Sequence, residues 1–396
     1  MPDNAKRMLT PKLRFPEFRE ENGWEEKTLI EVSDFVGERL PLKDIARSDY
    51  VSTENILPDF AGIGPPSSFP PTGTATHFRV NDVLISNIRP YLKKVWYATR
   101  GGGASNDVIV VRSKPCLIEG FLAVALKNDA FINYVMKGAK GVKMPRGDIG
   151  QMMGYPVALP LPAEQRKIAD CLTSLDELIG DQGRKVEALK AHKKGLTQQL
   201  FPREGETLPR LRFPEFGDDQ RFELKPIGGM AKVTTGAKDT RNKVDGGKYP
   251  FFVRSQNVER IDSFSHDGEA VLTSGDGVGV GENYHYMKGK FNFHQRVYCI
   301  HDFDESANGE FFFHYFSTHF KKRVKQMSAK NSVDSVRMSM ITEMPIWLPV
   351  VAEQQRIADC LCSLDARLAA ESQILDTFKT QKKGLMQQLF PSPGGA

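Results

Sequence analysis

Two stretches of the chain place apolar residues at alternating spacings of four and three. The first runs Ile168, Leu172, Leu175, Ile179, Gln182, Val186, Leu189, Lys193, Leu196 and Leu200. The second runs Ile357, Leu361, Leu364, Leu368, Glu371, Leu375, Phe378, Lys382, Leu385 and Leu389. Eight of ten positions are apolar in each, and the polar exceptions fall at the same two places. A sustained 3.5-residue repeat is the seam of a coiled coil rather than the wider stripe of a globular helix. Prolines bracket both stretches: Pro160 and Pro162 before the first and Pro349 before the second, then Pro202 and Pro391 at their ends. Proline fits a first helical turn and stops a helix further on. Glu164 and Glu353 lie in the first turns, where the helix dipole favours negative charge. Gly183, Gly195 and Gly384 oppose a regular rod, since each costs about 1 kcal/mol relative to alanine.

The polar exceptions predict how the two helices run. In a parallel pair Lys193 would meet Lys382 in the seam, and two ammonium groups there are costly to desolvate. An antiparallel pair centred between Val186 and Leu189 instead sets Lys193 against Glu371 and Gln182 against Lys382. The expectation is therefore an antiparallel intramolecular coiled coil with a pseudo-twofold axis. Its overlap, about residues 175–200 of each register, would be about 39 Å long, on the order of one turn of duplex DNA.

The seams belong to a larger repeat. Residues 163–202 and 352–391 align at an offset of 189 without a gap, with 21 of 40 positions identical. Lys12–Phe18 and Arg210–Phe216 share the run L-R-F-P-E-F. Between these markers Ser105–Arg112 falls on His294–His301, both strand-like, and Phe121–Met136 falls on Glu310–Lys325, both helix-like. The chain thus reads as an α+β tandem duplication, a β-rich body followed by a long helix, twice. Its segments are a lead-in (1–20), a first body (21–162), a first helix (163–202), a linker (203–220), a second body (221–351), a second helix (352–391) and a tail (392–396).

Composition narrows the picture modestly. With 396 residues, 40% hydrophobic and 26% charged, the chain is long enough for two or more soluble domains. Its apolar runs fall short of the ~18 residues a membrane span needs. Cys116, Cys171, Cys299, Cys360 and Cys362 are odd in number and form no C-x-x-C pair, which fits a reducing, cytoplasmic setting. A net charge of +5 suits a polyanionic partner without demanding one.

Catalytic patterns are missing. Gly246-Gly247-Lys248 is followed by Tyr249, so no phosphate-binding P-loop is present. His314 and His319 are five residues apart, off one helical face, and no metal site is expected. The glycine run Ser274–Gly281 lacks the G-x-G-x-x-G frame and leads into strand-like sequence, not a phosphate-holding helix. Glu25-Glu26-Lys27 and Glu223-Leu224-Lys225 recur as repeat scaffold, not as a nuclease centre.

What remains is basic, aromatic and amide-bearing sequence in the loops. The first body offers Ser86, Asn87, Arg89, Tyr91, Lys93, Lys94 and Arg100, with Lys143 and Arg146 in a second cluster. The second offers Ser274, Asn283, Tyr284, His285, Lys288, Lys290, Gln295 and Arg296, with Lys321, Lys322 and Lys330. Lysine and arginine supply phosphate contacts, while arginine, asparagine and glutamine can read base edges. Recurrence of these blocks at matching places in both bodies points to DNA.

The proline-rich lead, A-E-Q, the heptad helix ending Q-Q-L-F-P, and the L-R-F-P-E-F runs before Trp24-Glu25 and Phe222-Glu223 resemble type I restriction-modification specificity subunits. The resemblance spans about Lys12 to Pro391. It implies two target recognition domains reading an asymmetric bipartite DNA site, with the paired helices as a ruler and docking surface. Two modification subunits would bring S-adenosylmethionine, and restriction subunits ATP and Mg, with no cofactor and no catalysis in this chain. Two other readings are an S-adenosylmethionine-dependent DNA methyltransferase using the glycine run, and an orphan DNA-binding scaffold.

Overall fold

The computed structural model describes residues 8–66, 68–217, 221–327 and 335–391. Lys330 and the tail 392–396 lie outside the described residues. The chain divides into two compact units, Met1–Arg184 with Gln373–Ala396, and Lys185–Ser372, so the boundaries fall inside the two long helices.

In the first unit β1 (Met8–Leu9) pairs with β2 (Trp24–Thr28), which leads through α1 (Leu29–Val32) into β3 (Ser33–Phe35). Next come β4 (Arg39–Pro41), β5 (Tyr50–Val51), β6 (Thr74–Phe78), β7 (Val83–Ser86), β8 (Val95–Tyr97), β9 (Gly102–Ala104) and β10 (Val108–Ser113). After α2 (Glu119–Leu126), α3 (Asp129–Lys137) and α4 (Ile149–Met153), β11 (Pro156–Leu159) returns to pair with β2, and α5 (Pro162–Leu200) begins. The central sheet has the order β3-β10-β7-β8, and a second sheet has the order β4-β6-β9-β5. Val83, Ile85, Ile109 and Val111 alternate along β7 and β10 into a core shared with α2, α3 and the start of α5. The helix expected over Phe121–Met136 is split at Lys127–Asn128, where the Asn128 side chain caps α3 by accepting from the Ala130 N–H at 2.9 Å.

The second unit repeats this plan. It contains β12 (Glu223–Pro226), β13 (Lys232–Thr235), β14 (Tyr249–Phe252), β15 (Glu259–Ile261), β16 (His266–Ser274), β17 (Tyr284–Phe293) and β18 (Val297–His301). Then follow α6 (Gly309–Met327), α7 (Met338–Thr342), β19 (Pro345–Leu348) and α8 (Val351–Leu389). Strand order β13-β18-β16-β17 reproduces β3-β10-β7-β8, with β14 and β15 continuing the same sheet. Seven phenylalanines and tyrosines along α6 and at Phe201, among them Phe311, Phe312, Phe316 and Phe320, fill the core between sheet and helices.

A buried knot fastens the start of each long helix. Arg14, from the first L-R-F-P-E-F run, donates through Nε and Nη2 to both oxygens of Glu164 at 2.8 Å, and Trp24 Nε1 donates to the same carboxylate at 3.2 Å. Arg212 makes the same fork onto Glu353 at 2.8 and 2.7 Å, with its guanidinium 5.5 Å from the Phe222 ring. Gln165 accepts from the Ile118 N–H and donates to the Pro160 carbonyl, and Gln354 does so with Asn308 and Pro349. Removing one partner of such a buried pair would strand a charge, at about 3–5 kcal/mol.

Within each unit the two helices run antiparallel. The register differs from the expected one. Lys193, expected against Glu371, bonds Asp365; Lys382, expected against Gln182, bonds Asp176; and Glu371 pairs with Lys185 at 2.6 Å. The seam is displaced by roughly two helical turns. The displacement brings Leu389 into one core with Ile168 and Leu172, and Leu200 into the other with Ile357 and Leu361. Each such side chain is worth about 1.5–3 kcal/mol when buried, whereas a part-exposed ion pair contributes about 1 kcal/mol or less. Apolar burial at the helix ends therefore decides the register, and the lysines reach aspartates beside the seam. All the expected seam positions, Ile168, Leu172, Leu175, Ile179, Val186, Leu189, Lys193, Ile357, Leu361, Leu364, Leu368, Glu371, Leu375 and Phe378, are buried or half-buried.

Candidate nucleic-acid interface

Three segments meet at one edge of the first unit's central sheet. β7 ends at Ser86, which is buried and donates from Oγ to the Ile88 carbonyl at 3.1 Å. The Asn87 N–H donates to the Asp107 carbonyl at 2.8 Å, joining the β7–β8 loop to the turn before β10. Gly147 N–H donates to the Asn87 carbonyl at 3.1 Å, Arg89 N–H donates to the Pro145 carbonyl at 2.8 Å, and Ile88 bridges Arg146. The loop following α3 is thereby fastened to the other two, and the Asn87–Arg89 part of the first basic cluster comes beside the segment that carries Lys143 and Arg146.

The second unit builds the same edge at equivalent residues. Ser274 pairs with Val297 as Ser86 pairs with Val108. Gly275 N–H donates to the Arg296 carbonyl at 2.7 Å, Val336 N–H donates to the Gly275 carbonyl at 2.7 Å, and Asp276 bridges Ser335. The backbone scaffold is shared while the side chains on it differ.

On the first edge Arg89, Tyr91 and Lys143 are exposed, and Arg146 lies 3.2 Å from Asp107. Arg89 (φ +52°) and Lys93 (φ +54°) are held in the left-handed region on either side of Pro90–Leu92, a conformation costing about 1–2 kcal/mol per non-glycine residue. Such strain persists where surrounding contacts over-determine it, and it concentrates at functional sites. Lys93 pairs with Asp129 at 2.8 Å. Lys94 and Arg100 turn to other partners: Lys94 donates to the Thr53 carbonyl, while Arg100 packs over Trp96 and donates to the Ser48 carbonyl.

On the second edge Gln295 and Arg296 are exposed. Asp276 holds Arg254 at 2.9 Å and lies 3.6 Å from Arg296, gathering two guanidinium groups. Arg254 was not singled out in the sequence, because only the fold brings the loop after β14 to Asp276. Ser274 and Asn283 brace the edge from within: Asn283 Nδ2 donates to Ser274 Oγ at 3.2 Å, and both are buried. A Cβ on Gly279 would lie 2.0 Å from that amide nitrogen, which explains a glycine there. Tyr284 is largely buried, which pushes its phenol up, and burial holds His285 below the ordinary histidine range, with its Nε2 3.1 Å from the Ser255 carbonyl. Lys288 and Lys290 lie along β17 opposite Glu269 and Asp267, outside the loop cluster. Lys321 bonds Glu282 and Lys322 bonds Glu204.

The glycine run connects β16 to β17 as an antiparallel turn, with Thr273 opposite Tyr284. No helix follows it, so the phosphate cradle that the methyltransferase reading needs is not formed there. No helix among the described residues is long and apolar enough to cross a membrane.

A duplicated body with two equivalent loop edges, each joined to a long helix, defines a tandem-repeat class of two matched units. Residues 21–190 and 220–379 each match the type I restriction modification DNA specificity domain, and the chain belongs to that family. Its two bodies are DNA specificity domains of the type I restriction-modification kind. Similar proteins include the type I restriction enzyme EcoDI specificity subunit of Escherichia coli, 31% identical over 160 residues, 39% of this chain and 35% of that protein. The MjaVIII specificity subunit of Methanocaldococcus jannaschii is 22% identical over 341 residues, covering 78% of each. In fold, the S subunit of a type I restriction-modification system from M. genitalium matches with a TM-score of 0.70 at 15% identity, over 98% of this chain and 100% of that one. A chain from a structure of a type I R-M system, described for its complex assembly and conformational transition, matches with a TM-score of 0.52 at 18% identity, over 93% and 98%.

Proposed function

We propose that the two loop edges read the two halves of an asymmetric bipartite site in double-stranded DNA, one edge per half. The reading rests on one observation above the others: the same backbone scaffold recurs in both units with different side chains on it. Arg89, Tyr91, Lys143 and Arg146 face one half-site, and Arg254, Gln295 and Arg296 the other. Ser86, Asn87, Ser274 and Asn283 position these loops. The continuous helices α5 and α8 set the unspecified spacer and offer docking surface to two modification subunits, which bring S-adenosylmethionine, and to restriction subunits, which bring ATP and Mg. The complex works in the cytoplasm, where its DNA is.

The test maps the methylated motif of the reconstituted complex. Arg89→Ala is expected to relax the motif in one half and Arg296→Ala in the other, each by about 1–3 kcal/mol of base discrimination. Relaxation of both halves by either change would contradict the assignment.

A further inference from the structure

Both edges carry a fully exposed valine at a loop tip, and each tip stands on a hydrogen-bonded base. In the first unit Lys140 and Arg146 exchange backbone hydrogen bonds of 2.9 Å in both directions, closing a short hairpin over residues 141–145. Gly141, at φ +100°, opens the turn. The hairpin is then tied to the β7–β8 loop through Pro145 and Gly147. At its tip Val142 is fully exposed and Met144 half exposed. In the second unit Val278 is likewise fully exposed, at the crest of the glycine run. That run turns through Gly277 (φ +76°) and Gly281 (φ +69°), and the Asn283 N–H anchors it to the Gly279 carbonyl at 2.9 Å.

Single exposed apolar side chains are ordinary on protein surfaces. These two differ in address: each crowns the loop edge of its own unit, and cations flank each. Lys140, Lys143 and Arg146 share the hairpin with Val142 against two paired carboxylates, Asp148 and Asp107, and Arg254 and Arg296 share the single Asp276 that precedes Gly277-Val278, so each group carries a net positive charge. Positive charge around an apolar tip suits a polyanion that presents apolar groups between its charges. The major groove of duplex DNA does so: it is about 12 Å wide, admits a two-stranded ribbon, and displays the thymine 5-methyl group. Valine has one stiff χ1 torsion, so little rotamer entropy is lost on contact. It is also too short for the wedge role, which larger residues such as Phe, Leu and Met fill in the minor groove.

We infer that Val142 and Val278 are specificity-determining residues, each packing on a thymine methyl in the major groove of its half-site. The inference rests on the DNA-reading assignment above and adds the base class that each tip selects.

The test uses the full chain assembled with its modification subunits, and duplexes carrying the methylated motif in which each thymine is replaced in turn by deoxyuridine. That replacement removes the 5-methyl alone. In each half-site at least one replacement is expected to weaken binding about fourfold, the worth of one buried methyl-sized group. Val142→Ser should abolish this difference in the half-site that Arg89→Ala relaxes and preserve it in the other; Val278→Ser should do the converse. Both valines are fully exposed, so neither change disturbs the core. A deoxyuridine penalty that survives the serine substitution overturns the inference, as does a half-site with a flat series or with no thymine in either strand. If the unsubstituted complex does not prefer its motif over scrambled duplex, the DNA-reading assignment itself falls.

Discussion

In the second unit the imidazole of His314 is buried, with Nε2 3.4 Å from Cys362 Sγ and Nδ1 4.0 Å from Asp365. Burial, and after it the neighbouring Lys193 ammonium, depress its pKa to about 4, with Asp365 opposing. The unfolded chain binds that proton near 6.5. Between about pH 6.5 and 4 the unfolded state therefore holds more protons, and stability falls as the solution is acidified. The contribution is complete above about pH 6.5 and lost by about pH 4, up to roughly 3 kcal/mol at 1.36 kcal/mol per unit. His314→Leu is expected to narrow the difference in thermal midpoint between about pH 7.5 and pH 5. His285, His294 and His319, also depressed by burial, retain part of the slope. An undiminished difference in the variant would show that His314 protonates freely in the folded protein. The same desolvation raises the Cys362 thiol, so this Cys–His–Asp grouping is poorly suited to nucleophilic chemistry despite its composition.

At the scale of elements, two energies act together on the helix pair. The expected register offers one ion pair, Lys193–Glu371, whereas the observed one covers the apolar helix ends and also forms Lys193–Asp365, Lys382–Asp176 and Lys185–Glu371. Exchanging charges as Lys193→Glu with Asp365→Lys should recover part of the stability lost by Lys193→Glu alone, a coupling of about 1 kcal/mol or less because both groups are part-exposed. The corresponding exchange with Glu371 should recover none. Chemical denaturation of the four variants in each cycle measures both. The split of α2 from α3, where the second unit keeps one helix, shows that the repeat preserves position more strictly than local conformation.

At the scale of the whole molecule, α5 and α8 are each continuous over 39 residues and pass from one compact unit to the other. If they set the spacing between the half-sites, removing one heptad from each shortens the frame by about 10 Å, or about three base pairs at 3.4 Å per step. The methylated motif of that variant should keep both half-sites and lose about three unspecified positions between them. An unchanged spacer would end the ruler reading; altered half-sites would mean that the helices also orient the edges.

The duplication, the α+β class, the long helices and the antiparallel sense were legible in the chain. Each is carried by periodicity or by internal identity, which need no knowledge of contacts across the fold. The seam register was not legible, because it depends on summed burial at helix ends rather than on the charges nearest its centre. The role of the A-E-Q motif was half legible: Glu164 and Glu353 suit a helix start by sequence, but only tertiary structure pairs them with Arg14 and Arg212. At the edges, sequence located the Arg89, Lys143 and Arg296 segments. It could not separate free-facing side chains from those committed to partners within the unit, such as Lys94, Arg100 and Asn283, nor bring in Arg254 from another loop. Composition marks which chemistry a loop contains; the hydrogen bonds that fasten one loop to another decide which of it faces outward.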